Sequence, residues 1–149
     1  MTRIDKVEPG AGNFRAPIDV NFAYTANLPD MAHADLNKMI CVSLNANGRV
    51  VRTTPLASPT GLVGVICLGE PVKAGFVVDV MQTAELVEFT LFGGGAAASG
   101  TPYFSNADGA GGYSPGLTPG ATIARLGHTV EATRFILRLN AGLGARAAA

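Results

Sequence analysis

Few residues in this chain have the type and spacing that chemistry requires. Gly112-Tyr113-Ser114-Pro115-Gly116 has the G-x-S-x-G spacing of a hydrolase nucleophile elbow, where a tight strand-to-helix turn exposes the serine hydroxyl. Such an elbow takes one oxyanion-hole donor from the backbone N–H of the residue after the serine. Here that residue is Pro115, which has no N–H. The following Gly116-Leu117-Thr118-Pro119-Gly120 cannot form the helix either. The motif is a turn by this argument. His33 and His128 lie far apart, whereas a metal site wants two or three close His, Cys or carboxylate partners. Asp30 and Asp35 beside His33 make one loose grouping. Glu85 and Glu88, three apart on a predicted strand, face opposite ways and cannot flank one bond as acid and base. They are expected as solvated edge charges. Gly93-Gly94-Gly95 is followed by neither a lysine nor a helix, so no phosphate loop is predicted. The expectation is a protein with no catalytic residue, no cofactor and no metal: not an enzyme.

Arg49, Arg52, Arg125, Arg134 and Arg138 fall on predicted strands, where they suggest a basic face. Against nucleic acid, Trp is absent, few aromatics interleave, and 11 Lys and Arg balance 11 Asp and Glu. A chain of zero net charge gains no long-range pull toward phosphates. Salt bridges between subunits, or to a larger protein surface, explain the arginines as well. Cys41 and Cys67 each sit in an apolar run and are expected as buried free thiols in neighbouring strands. There is no CxxC spacing, and nothing suggests an oxidising compartment. Met1-Thr2-Arg3-Ile4-Asp5 has no apolar stretch of a signal peptide behind it. No run approaches the roughly 18 apolar residues of a membrane span. Neither nucleic acid nor membrane is expected as a partner.

The elements that must carry these residues are strands. Residues 39–44 and 49–53 flank Asn45-Ala46-Asn47-Gly48, whose Asn and Gly tolerate the positive φ of a tight turn. That is a hairpin. Residues 61–68 are continuously apolar, as in a strand buried on both faces. Residues 76–81 and 85–92 follow, with Phe76, Val78 and Val80 expected on one face. Short strands at 101–105 and 112–114 flank the turn Asn106-Ala107-Asp108-Gly109. Residues 123–130 and 134–139 form the last hairpin, turning at Val130-Glu131-Ala132-Thr133. This spacing predicts an all-β fold, a small β-barrel or a β-tulip or sandwich. The core domain is expected over residues 39–140, with 141–149 as a frayed tail.

Residues 1–38 differ from the rest. Pro9, Pro17, Asn27 and Pro29 punctuate them, and Ile18, Val20, Phe22 and Tyr24 alternate with the period of a half-buried strand. They are expected as an extended N-terminal arm carrying one strand opened by Pro17. One or two helical turns are expected over residues 30–36. Phe14, Arg15, Ile18, Phe22 and Tyr24 are the arm's candidate contact residues.

Composition points to assembly. Only 15% of the 149 residues are charged, against roughly 25% in ordinary soluble domains. Zero net charge gives no solubility through self-repulsion, which suits a protein that docks onto something larger.

Over residues 39–140 the order of elements resembles small bacteriophage proteins that coat capsids as decoration or cement proteins. The likeness runs through the hairpin Cys41-Val42-Ser43-Leu44 to Arg49-Val50-Val51-Arg52. It continues in Gly61-Leu62-Val63-Gly64-Val65-Ile66, Phe76-Val77-Val78-Asp79-Val80 and Glu85-Leu86-Val87-Glu88-Phe89. Ala96-Ala97-Ala98-Ser99-Gly100-Thr101-Pro102-Tyr103, the turn at Asp108-Gly109, Ile123-Ala124-Arg125-Leu126-Gly127 and Arg134-Phe135-Ile136-Leu137-Arg138-Leu139-Asn140 complete it. Arg125-Leu126-Gly127 departs from the family's Gly-Tyr pair. The resemblance implies a homotrimer on the outer capsid surface of a virion, made in the host cytoplasm, with the major capsid protein as partner. Another virion part, such as a head fibre base, tail tube or baseplate subunit, is the alternative. A carbohydrate- or receptor-binding module is a further one, though no Trp and only three Tyr are present to build its aromatic platform.

Overall fold

The structure is a computed structural model that describes residues 13–19, 39–53, 61–69, 74–87, 97–106, 111–115 and 122–139. The described residues hold ten strands and no helix. They are β1 (Phe14–Pro17), β2 (Ile40–Leu44), β3 (Val50–Arg52), β4 (Gly64–Ile66), β5 (Val77–Val80), β6 (Thr83–Val87), β7 (Pro102–Asn106), β8 (Tyr113–Pro115), β9 (Thr122–Glu131) and β10 (Arg134–Arg138). They make three antiparallel sheets: β1-β5, β3-β2-β4 and β6-β10-β9-β7-β8.

The continuous apolar runs of β2 and β4 place their sheet in the middle. Side chains alternate across a strand, so a strand apolar at every position is buried on both sides. Ile40, Val42 and Ile66 point into a first core shared with Ala16, Ile18, Val78 and Val80 of the β1–β5 layer. Met39, Cys41 and Val65 point the other way, into a second core with Tyr103, Tyr113, Leu126, Phe135 and Leu137 of the five-stranded sheet. Tyr103 packs edge-on against Tyr113 at 6.0 Å and Phe135 at 6.1 Å, the geometry that aromatic quadrupoles favour. The molecule is a sandwich of three layers. It does not close into a barrel, because single bridges, Ile18 to Val50 and Val65 to Met81, join the first layer to the middle one.

Local chemistry sets the turns. The β2–β3 hairpin closes where Asn45 Oδ1 accepts from the backbone N–H groups of Asn47 and Arg49, at 2.9 and 3.0 Å. Gly48 takes the positive φ of +73° that this turn needs. Between β5 and β6 the chain crosses from the first layer to the third in two residues. Met81 exchanges both backbone bonds with Val65. Gln82 donates its N–H to Asn13 Oδ1 at 2.8 Å and its side-chain amide to the Val63 carbonyl at 2.9 Å, while its carbonyl accepts from Leu139. On β9, Gly127 lies so close to β10 that a Cβ there would overlap the Ile136 carbonyl oxygen.

Several expectations change. Among the described residues of the N-terminal region the strand is Phe14–Pro17, with Pro17 at its end. Ala16 and Ile18 lie in the first core beside Ile40, Val42 and Val50, so residues 14–18 of the expected arm pack with the described strands. Val20, Phe22, Tyr24, the expected helical turns at 30–36 and the tail at 141–149 lie outside the described residues. Phe76 precedes β5 and is 57% exposed, so it does not share the buried face of Val78 and Val80. Cys41 is buried, but Cys67 follows the end of β4 and is exposed; both are free thiols.

Candidate interaction surface

The five residues expected to make contacts divide once placed. Ile18 has no exposed surface and packs in the first core. Phe14, opposite Val80, is half-buried against the same core. Both hold β1 in place and are spent on the protein's own packing. Arg15 alternates outward, opposite Asp79, and pairs with it through Nε at 3.0 Å. Both side chains are mostly exposed, so the pair adds at most a few tenths of a kcal/mol to about 1 kcal/mol. Phe22 and Tyr24 lie outside the described residues.

The outward face of the β1–β5 pair holds what sequence reading missed. Pro17 stands opposite Val77, which is 43% exposed, and Phe76 adjoins it. Pro17 and Val77 make a small apolar surface beside the Arg15–Asp79 pair, and Phe76 is exposed where the chain enters β5. Backbone bonds brace it: Ile18 donates its N–H to the Phe76 carbonyl at 2.9 Å, and Gly75 donates to the Ile18 carbonyl at 2.8 Å. At the other end, Asn13, Phe14, Arg15, Asp79 and Met81 line an open depression of about 370 Å³. No spacing rule marks this patch, because its members come from two strands that the sequence does not pair.

The groups with chemical potential are dispersed or occupied. Ser114 lies within β8 rather than at an elbow, and its hydroxyl donates to Asn106 Oδ1 at 2.7 Å. His128 stands between Ile136 of β10 and Pro102 of β7, with no titratable residue directly opposite. Among the described residues no three His, Cys, Asp or Glu side chains group as metal ligands. Arg134 is shared by Glu85 at 3.6 Å and Glu131 at 3.5 Å, so Glu85 is an edge charge with a partner. Glu88 lies outside the described residues. Arg52 is buried on β3 in the middle sheet, while Arg125, Arg134 and Arg138 belong to the outer five-stranded sheet. The strand arginines therefore do not share one basic face.

Two groups have raised pKa values. Burial of Tyr113 in the second core pushes its phenol well above the ordinary range, with smaller contributions from Cys41, Cys67 and Tyr103. Cys67 keeps an exposed side, but the protein around its sulfur excludes enough water to push the thiol up to about 11. Its exposure decides whether a reagent reaches it, and desolvation decides its protonation. At neutral pH it is a thiol, a weak nucleophile.

No protein-family model matches the chain, and no curated protein matches it.

Proposed function

We propose that the protein is a structural component of a bacteriophage virion that binds the outer capsid surface as a decoration protein. The exposed apolar side chains of Phe76 and Val77, where the chain enters the strand that Pro17 pairs with, are the observation that carries this proposal. A large apolar side chain held in place on a framework loses little entropy when a partner covers it. Burying the exposed half of one such side chain is worth about 1–1.5 kcal/mol. The low charge content and zero net charge agree with a protein that functions while docked. The resemblance over residues 39–140 supplies the partner, the major capsid protein. The role is mechanical: contact area added across neighbouring capsomers resists their separation.

The test uses capsids of the encoding phage assembled without this protein. Added protein is expected to co-sediment with them and to appear as surface density in electron micrographs. Phe76→Ser combined with Val77→Thr should weaken binding at least tenfold while leaving the melting temperature nearly unchanged. Unchanged occupancy would remove the patch from the attachment surface. Absence of bound protein on any capsid form would end the decoration proposal itself.

A further inference from the structure

A strand at the edge of a sheet leaves a row of backbone donors and acceptors unpaired, and proteins usually block such rows. Most edges here meet another strand at one bridge or are very short. The outer edges of β1 and β3 meet through the Ile18–Val50 bridge, and those of β4 and β5 through Val65–Met81. β8 is three residues long and ends in Pro115, which has no N–H to offer. The edge of β6 is different. Its first residue is plugged: Thr83 donates its N–H to Asn13 Oδ1 at 3.2 Å, and its carbonyl accepts from Asn13 Nδ2 at 3.3 Å. Backbone groups alternate direction along a strand, so Glu85 and Val87 turn theirs the same way as Thr83, away from β10. Among the described residues nothing meets them there. No proline, bulge or inward-pointing charge guards these positions. Val87 is 71% exposed, and Leu86 is a half-buried rim residue of the second core.

We propose that the β6 edge pairs with the β6 edge of a second copy of this chain, antiparallel about a twofold axis at Leu86. The sequence of the strand selects this occupant. In that register Glu85 stands opposite Val87 of the other copy, so no carboxylate faces its twin, and each pair exchanges both backbone bonds. A register centred on Glu85 would oppose two like charges. On the inner face Leu86 meets Leu86 of the other copy, and the two second cores become continuous across the axis. On the outer face Arg134, the ladder partner of Val87, is held by its own Glu85 and Glu131, and the other copy's Glu85 comes to the far side of Val87 from it. Zero net charge removes long-range repulsion between copies. The contact is small, so it is weak in dilute solution and strengthened wherever a surface holds copies side by side. On a capsid it makes coverage cooperative, a consequence that rests on the decoration proposal, whereas the pairing itself does not. A twofold contact also differs from the threefold association that the family resemblance implies.

Sedimentation velocity of the full chain across a wide concentration range tests the pairing. The expected result is a reversible monomer–dimer equilibrium. Val87→Pro removes the edge-facing N–H without touching the β10 ladder, and proline is tolerated at such positions. It should raise the dissociation constant roughly tenfold or more, since each copy loses a hydrogen bond. Leu86→Cys in a Cys67→Ser background should give a disulfide-linked dimer on mild oxidation. A monomer at every concentration, a trimer, or a dimer unaffected by Val87→Pro and not cross-linked through position 86 would each overturn the proposal. Because no capsid is present, failure of the decoration proposal leaves this measurement unchanged, and the converse holds.

Discussion

Two buried or half-shielded acids give the protein a residue-scale signature at high pH. Cys67 and Tyr113 are both held neutral in the folded state, with pKa values raised above the ordinary 9.0 and 10.0. In the unfolded chain they ionise at those ordinary values. Between the two sets of values the unfolded state has lost protons that the folded state keeps. Stability contributed by these groups is therefore complete below about pH 9 and falls as pH rises toward 11 and beyond. Chemical denaturation at pH 8 and pH 10.5 should show the loss, and Cys67→Ser should reduce it. Labelling reads the same shift directly. Iodoacetamide should modify Cys67 but not buried Cys41 in the native protein, at a rate that climbs about tenfold per pH unit to about pH 11. A rate that levels off near pH 9 would show an ordinary thiol. The sequence placed both cysteines in apolar runs but could not separate them. The ladder of β4 ends at Ile66, and one residue decides whether a side chain is in the core or at its rim.

At the scale of the element, β1 decides how the N-terminal region is understood. The alternation of Ile18, Val20, Phe22 and Tyr24 suggested an independent arm, because periodicity reports a half-buried strand without saying what buries it. Among the described residues a strand lies at Phe14–Pro17, paired to β5 from Phe14–Val80 to Pro17–Val77. Its inward residues close the first core over Val78 and Val80. Ile18→Ala should cost about 2–5 kcal/mol, as for other fully buried large-to-small changes. Deleting residues 1–30 should leave a chain without native near-ultraviolet signal or cooperative melting, since it uncovers that core. A truncated chain that melts cooperatively near the full-length temperature would restore the arm. The hairpins were legible for the opposite reason. Asn45 and Gly48 carry their turn in their own side chain and φ, and need no distant partner to be recognised. The candidate surface was illegible because Pro17 and Val77 become neighbours only through the β1–β5 register.

The whole molecule is organised by the middle sheet, whose two faces serve two cores. Adjacent residues of one strand, Cys41 and Val42, belong to different cores, so neither core can be lost while β2 keeps its place. The sequence predicted one strand buried on both faces, over residues 61–68. It could not say what lay against each face, because continuous apolar character is the same whichever layers cover it. Shared strands should make the two cores one cooperative unit. The aromatic residues allow a test. Tyr103 and Tyr113 both lie in the second core, and no tryptophan obscures their fluorescence. Val42 points into the first core only. Val42→Ala should cost about 2–3 kcal/mol by loss of buried methyl groups and the space they leave. In a single cooperative unit, urea unfolding of this variant followed by tyrosine fluorescence shifts by the same amount as unfolding followed by far-ultraviolet circular dichroism. If fluorescence kept the parent midpoint while dichroism moved, the cores would unfold separately and the three layers would be two domains sharing a wall. Coincident shifts would mean that strain placed on the β1–β5 layer is felt at the five-stranded sheet. If the protein joins a partner through its first layer and a second copy through β6, as proposed, it depends on that coupling, because force entering at one contact must leave through the other.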